Sequence, residues 1–508
     1  MNQNNISAAE LFQRVRELLM LPELEPQTRN KMMHDTLILC CHEGVKDTKQ
    51  AFGNLFSQVD YLCKARGIKV ADKIAIQTMR RHSNSQEPLS GEDLKYDARA
   101  LALFISAVFG VDVPHELNVL IPHTPRPYQK GLEINNRRIR CIVKNWDGDF
   151  IRVDIDQDTD EEEYLVQLKD EENHIDHTYL WDILKEGMQL NLLDCQVKQP
   201  IITPRLIVVE PDYLVDISSI ATCFTAFGHH PLLYLLNLMK PRANTQATLL
   251  GNFAGAALDD IINSHGKYQM NETVKTNFRE KALEFCTCPW FDPKKFYTDA
   301  SLQAFNLQQV VDILFPRTAS QAQMTALRGE SLYDRKKAIL EPSFVCEALG
   351  IQGRVDLMTT DCKLLVEQKS GRNMNIETHQ VDPGYHSYQL EPHYVQLLLY
   401  YGVLQHNFKL SNDRVNIRLL YSKYRPQDGL MVVAYYQKLF KEAIQYRNQL
   451  VAASFEIAKE GFEHALNEFT PEVLNVAGTQ DFFYNKYLKP QIEAITKPLH
   501  DLSPLEEA

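Results

Sequence analysis

The sequence predicts a multidomain α+β protein, on three observations. Apolar residues recur at helical spacing through the N-terminal part, the period changes to two from about Arg137, and long helical patterns return after Pro211 around one further strand hairpin. At 508 residues the chain exceeds the size at which a single core stops growing, so roughly two to four domains are expected. We divide it into a helical domain (1–117), a β-rich domain (118–211), an α/β domain (212–455) and a C-terminal helical extension or linker (456–508).

Helices come first. Ser7 and Glu10 form a capping box ahead of Leu11, Val15, Leu18 and Leu19. A second helical stretch carries Phe52, Phe56, Val59 and Cys63; a third runs through Leu101, Phe104, Ile105, Val108 and Phe109 and stops at Gly110. In the β-rich part, Ile139, Cys141 and Val143 alternate, Asn145 to Asp149 turn, and Ile151, Val153 and Ile155 alternate again. Strand-like runs at Tyr164 to Leu168, Met188 to Val197 and Arg205 to Val209 bring the count to that of a small OB-like barrel. The acidic run Asp156 to Glu163 lacks the pattern of a calcium loop and reads as a solvated hairpin tip. Glu210-Pro211-Asp212 marks the next boundary.

A net charge of −12 rules out a basic coat, so nucleic-acid contact must come from local clusters. Arg80-Arg81 and Arg137-Arg138 are candidate phosphate contacts, although basic pairs are commonly just solvated. Ten scattered cysteines without a secretory signal predict a reduced, cytoplasmic protein, and no apolar run is long enough for a bilayer. A P-loop motif is absent.

The chemistry concentrates in Gly353-Arg354-Val355-Asp356-Leu357-Met358, a polar break, and Leu364-Leu365-Val366-Glu367-Gln368-Lys369. We read these as two strands of a hairpin, with Glu367 and Lys369 on one face, Gln368 on the other and Asp356 beside Glu367. Two carboxylates and an ammonium buried together call for compensation, which a divalent cation on Asp356 and Glu367 provides. Such a cation lowers the pKa of bound water and polarises a phosphodiester, with Lys369 orienting the water or stabilising the growing charge. By itself D…E-x-K is as readily a surface Asp with a Glu-Lys pair. Three neighbours add weight: Glu341 as a further acidic ligand, Gln396 and Tyr400 at i and i+4 on the helix from His393 to Gly402, and Asp259 at the end of the small-residue run from Leu249.

Glu341-Pro342, Gly353-Arg354-Val355-Asp356, Glu367-Gln368-Lys369-Ser370-Gly371 and Gln396-x-x-x-Tyr400, in that order, resemble the RecB-like branch of the PD-(D/E)XK nucleases. The likeness is greatest to CRISPR-associated adaptation nucleases and to the nuclease domains of flap-trimming nuclease-helicases, over about Ser218 to Gln449. It implies a mixed sheet flanked by helices, with Asp356 and Glu367 as ligands of Mg²⁺ or Mn²⁺ and Lys369 as the catalytic lysine. It also implies that the Gln368 carbonyl completes the metal shell and that Gln396 and Tyr400 position DNA. Asn448 matches the family's terminal helix more weakly.

Two departures stand out. Gly255 occupies the place of the family's metal-binding His, four residues after Gly251. No cysteine follows Cys362, so no iron-sulfur cluster is expected, and Cys286 and Cys288 form a lone C-x-C.

The expected function is metal-dependent hydrolysis of DNA, single-stranded or with free ends, in repair, recombination or defence. The alternative is a nuclease fold with weakened chemistry that grips DNA or a protein. Because the family's relatives continue into a helicase, a motor is expected either in a longer version of this chain or in trans.

Overall fold

A computed structural model describes residues 6–85, 88–126, 132–155, 163–225, 228–239, 243–264, 267–381, 386–410, 414–461, 470, 473, 482 and 484–500. The architecture is mixed α+β with several sheets. The acidic run assigned to a hairpin tip lies, apart from Glu163, outside the described residues.

Five helices open the chain: α1 (Ala8–Leu19), α2 (Pro26–Val45), α3 (Leu55–Ala65), α4 (Val70–His82) and α5 (Gly91–Phe109). The Ser7 hydroxyl accepts from the Glu10 N–H while the Glu10 carboxylate accepts from the Ser7 N–H, so the capping box forms. Gly110 stops α5 with a φ of 68°, a left-handed conformation that glycine adopts without a Cβ penalty. Helix α2 escapes periodicity because its buried stripe mixes Asn30 and Thr36 with Met33, Leu37, Cys40 and Cys41.

Phe52 corrects the second helical stretch. It belongs to β1 (Ala51–Phe52), and α3 starts only at Leu55. Strand β1 pairs in parallel with Met431 and Val432, so the N-terminal part contributes an edge strand to a distant sheet and is not purely helical.

After a short α6 (His115–Asn118) come β2 (Asn136–Asp147), β3 (Phe150–Ile155), β4 (Tyr164–Gln167), the ribbon β5 (Lys169–Asp170) and β6 (Ile175–Asp176), β7 (Gln189–Lys198) and β8 (Ile201–Val209). A closed barrel forms in the order β2-β3-β4-β8-β7. Among the described residues only β4 and β8 of the barrel pair in parallel, and β7 returns to β2. Ile139, Cys141, Val143, Ile151 and Val153 fill its interior, as alternation requires.

The rest of the chain builds on β9 (Val215–Asp216), α7 (Ile217–Ala221), a ribbon of β10 (Phe224–Thr225) and β11 (Gly228–His229), and α8 (Leu232–Met239). A helical layer follows: α9 (Gln246–Asn263), α10 (Met270–Glu280), α11 (Ala282–Cys286), α12 (Pro293–Leu314) and α13 (Ala319–Leu327). Next come β12 (Ala338–Leu340), β13 (Ser343–Cys346), β14 (Ile351–Arg354), β15 (Leu357–Thr359) and β16 (Leu364–Lys369), with α14 (Met374–Thr378) and α15 (Glu391–Phe408) after them. Strand β17 (Asn416–Tyr421), α16 (Pro426–Gly429), β18 (Leu430–Val432) and α17 (Gln437–Glu460) complete the core, and a last helix covers Lys489–His500.

The main sheet runs β1-β18-β17-β16-β15-β12, and its two parallel pairs are β1 with β18 and β16 with β17. On one face Leu365 packs with Leu397, Leu398 and Leu404 of α15. On the other, Leu364 and Val366 pack with Leu258 of α9 and Val310 of α12. Strand β16 is therefore buried on both faces, which is why it reads as a continuous apolar run.

One expectation needs correction here. Gly353 to Met358 is not a single strand: β14 pairs with β13 and β9 in a second sheet, whereas β15 pairs with β16 in the main sheet. The chain changes sheets at Val355-Asp356, so Asp356 sits at the junction and not inside a hairpin strand.

Candidate active site

The residues singled out in β16 lie at its C-terminal end, and alternation decides where each one points. Glu367 and Lys369 follow Leu365 toward α15; Gln368 follows Leu364 and Val366 toward α12. The Lys369 ammonium donates to Oε1 of Glu367 at 2.7 Å and to Oε1 of Gln396 at 2.8 Å. On the opposite face, Nε2 of Gln368 donates to the Ser422 hydroxyl at 3.2 Å, and that hydroxyl donates to Oε1 of Gln303 at 2.6 Å.

Asp356 reaches the same place from the sheet junction. Its Oδ2 accepts the backbone N–H of Gln368 at 2.5 Å, and its carbonyl accepts the Glu341 N–H at 3.0 Å. Tyr400 holds the junction from α15 by donating its hydroxyl to the Arg354 carbonyl at 2.7 Å. Gly353 permits that approach, because a Cβ there would stand 3.0 Å from the Tyr400 hydroxyl.

Electrostatics make the site short of positive charge. Glu367 is 2% exposed, and among the described residues its Oε2 has no hydrogen-bond partner. Burial first, and then the nearby Asp356 carboxylate, push its pKa up to about 8 against the pull of Lys369. Burial also raises Asp356, opposed by the Gln368 N–H. Asp259 on α9 is pushed up to about 7 by burial and then by Glu341, Asp260 and Asp356, so it belongs to the same field. His393, beside Lys369, is driven down to about 3 by burial and by the lysine's charge, and stays neutral.

Glu341 and the Gln396-Tyr400 pair lie at the site, each bonded to a neighbouring residue. Glu341 adopts a φ of 47° and turns its carboxylate to Arg354, with Oε2 3.0 Å from Nη1. Gln396 holds Lys369 and Tyr400 holds the Arg354 backbone, so both support the site from within. Among the described residues no three His, Cys, Asp or Glu side chains converge into a complete ligand set. What the site presents is two carboxylates, Asp356 and Glu367, with one oxygen unsatisfied.

Two glycines stand one turn apart on α9. Gly251 lies against Ser370, where a Cβ would meet the hydroxyl at 3.2 Å, and one turn later a Cβ on Gly255 would meet nothing within 4 Å. Asn448 lies on α17, where it accepts the Val209 N–H at 2.9 Å and donates to the Ile207 carbonyl, while Arg447 donates to the carbonyls of Gly350, Glu210 and Tyr213. These two residues latch the barrel to the core.

No family model matches the chain, and no curated protein matches it significantly. Functional weight therefore rests on the geometry.

That geometry adds residues which no motif indicates. Gln303 donates to the Ser370 carbonyl at 3.1 Å and Asn306 to the Ser422 carbonyl at 3.0 Å, so α12 props the ends of β16 and β17. The available signal was weak: two polar residues, Gln303 and Asn306, one turn apart on a helix otherwise buried by Ala300, Ala304 and Leu307.

Proposed function

We propose that this protein is a divalent-metal-dependent DNA nuclease of the PD-(D/E)XK type, with a RecB-like core. The observation that carries the reading is the buried Oε2 of Glu367 beside Asp356, because a buried carboxylate oxygen left without a donor is expensive unless a cation completes it. Oxygen donors from two carboxylates, joined by the Gln368 carbonyl as the resemblance implies, suit Mg²⁺ or Mn²⁺. When bound, such a cation supplies acidification of a coordinated water and polarisation of a phosphodiester oxygen.

The side chains supply the remainder. Glu367 and Gln396 hold the Lys369 ammonium in one place, from which it stabilises charge developing on the phosphate. Tyr400 and Arg354 fix the junction that presents Asp356. The order of the barrel strands, with its single parallel pair, is that of an OB-like domain, a kind that grips single strands.

A time course on end-labelled single-stranded and closed circular DNA, with Mg²⁺, Mn²⁺ or EDTA, tests the reading. Metal-dependent cutting that disappears in Lys369→Ala supports it. Intact substrates under every condition would overturn it and leave the second reading, a DNA-gripping fold with weakened chemistry. That reading is favoured by the open space at Gly255.

A further inference from the structure

Two cavities of about 900 and 690 Å³ lie side by side between the barrel and the helices, and they share Arg205, Gln437 and Lys441. Together they form one trench. In the smaller cavity, Arg137 and Arg138 come from β2, Arg205 from β8, Lys409 from the end of α15 and Lys441 from the first turns of α17.

The charge balance of that smaller cavity is one-sided. Among the described residues its one lining carboxylate is Asp194, and Arg137 already occupies it at 2.8 Å. Among the described residues Arg138, Lys409 and Lys441 have no carboxylate within ion-pair distance, and the Arg205 guanidinium donates to the Leu132 carbonyl at 3.1 Å. Lys441 is half-buried next to Arg205, and its pKa is lowered by burial and then by that guanidinium. In a chain of net charge −12, several cations around one concavity repel one another unless an anion enters.

We propose that this trench is a binding site for the phosphate backbone of single-stranded nucleic acid, separate from the cutting site. Cations from the barrel on one side and from α15 and α17 on the other suit a chain of regularly spaced phosphates, and Tyr435 and Tyr96 line the groove. Walls on both sides favour one strand over a duplex. The choice of a polynucleotide over another polyanion rests on the nuclease reading. The site lies away from the catalytic residues: from Gln396 to Lys409, the C-cap of α15, is about 20 Å along the helix axis. Substrate would be held at one end of the core sheet and cut at the other.

The test is fluorescence anisotropy of labelled oligo-dT of about 20 nucleotides, in EDTA so that nothing is cut, at several salt concentrations. The full chain is compared with a double variant, Arg138→Glu with Lys409→Glu. Both residues are exposed, so the fold should survive, and a melting curve checks it. We expect binding at least about tenfold weaker and a salt slope smaller by roughly 1 to 2. Unchanged affinity and slope in a folded variant would overturn the proposal, as would equal binding of duplex and single strand by the wild type. A protein that never cuts DNA but loses binding in the variant sinks the nuclease reading and leaves the trench standing; one that cuts while the variant binds normally does the reverse.

Discussion

The ammonium of Lys369 is gripped from two sides, by Glu367 on its own strand and by Gln396 on α15, at 2.7 and 2.8 Å. A lysine held in this way cannot swing with the freedom of a surface side chain. Lys369→Ala is therefore expected to keep the fold and lose cleavage by on the order of 10²- to 10³-fold, the size of effect seen when one charge-stabilising donor is removed. Melting curves beside cleavage rates check both halves.

The proposed metal binding can be tested at Glu367 as well. Mn²⁺ added to the wild type should raise the melting temperature, by mass action on the folded state. In Glu367→Gln, which keeps the shape and removes the charge, that rise should vanish. A rise of equal size in the variant would place the cation elsewhere.

Gly255 offers a gain instead of a loss. A Cβ there meets nothing, so Gly255→His should fold, and removing a helix-interior glycine should add a few tenths of a kcal/mol. If position 255 faces the site as the family resemblance implies, the ring supplies a further ligand, and the midpoint of an Mn²⁺ titration should fall. An unchanged midpoint would mean that position 255 is not directed at the metal.

His229 gives a pH dependence of its own. Burial alone would lower its pKa, but its ring nitrogens lie 2.8 Å from Glu391 and 2.6 Å from Glu442, and these bonds raise it to about 9. Phe224 and Tyr446 close the pocket around the ring. A histidine whose pKa is higher folded than unfolded contributes stability fully below pH 6.5, and that contribution is lost as pH rises through 9. Its size is on the order of 2–3 kcal/mol. His229→Gln should lower the denaturant midpoint at pH 6 and change it little at pH 10.

Arg418 and Glu330 form a doubly hydrogen-bonded pair, 2% and 5% exposed. Arg418→Met alone strands the Glu330 carboxylate and should destabilise by about 3–5 kcal/mol. Adding Glu330→Leu should recover most of the loss, because the desolvated charge is then gone as well. Denaturant unfolding of the two variants decides it.

Local periodicity carried much of this structure. The shared face of Glu367 and Lys369, the opposed Gln368, the cap at Ser7, the stop at Gly110 and the strands of the barrel all follow from backbone geometry within one short run of residues. Relations between distant runs did not follow. Phe52 looks helical by spacing, yet it is a strand because Val432 offers an open edge. Gly353 to Met358 looks like one strand, yet the sheets part at Val355.

By itself, then, the sequence determined which residues could share a face and which chemistry they could carry. Only the tertiary structure decided their partners: that Gln396 holds Lys369, that Arg354 claims Glu341, that Arg447 and Asn448 latch the barrel, and that Arg138 meets Lys409 and Lys441 across a trench. The reason is physical. Side-chain direction is set by the torsions of the local backbone, whereas the satisfaction of a buried polar group depends on what packing brings next to it, and that is a property of the whole chain.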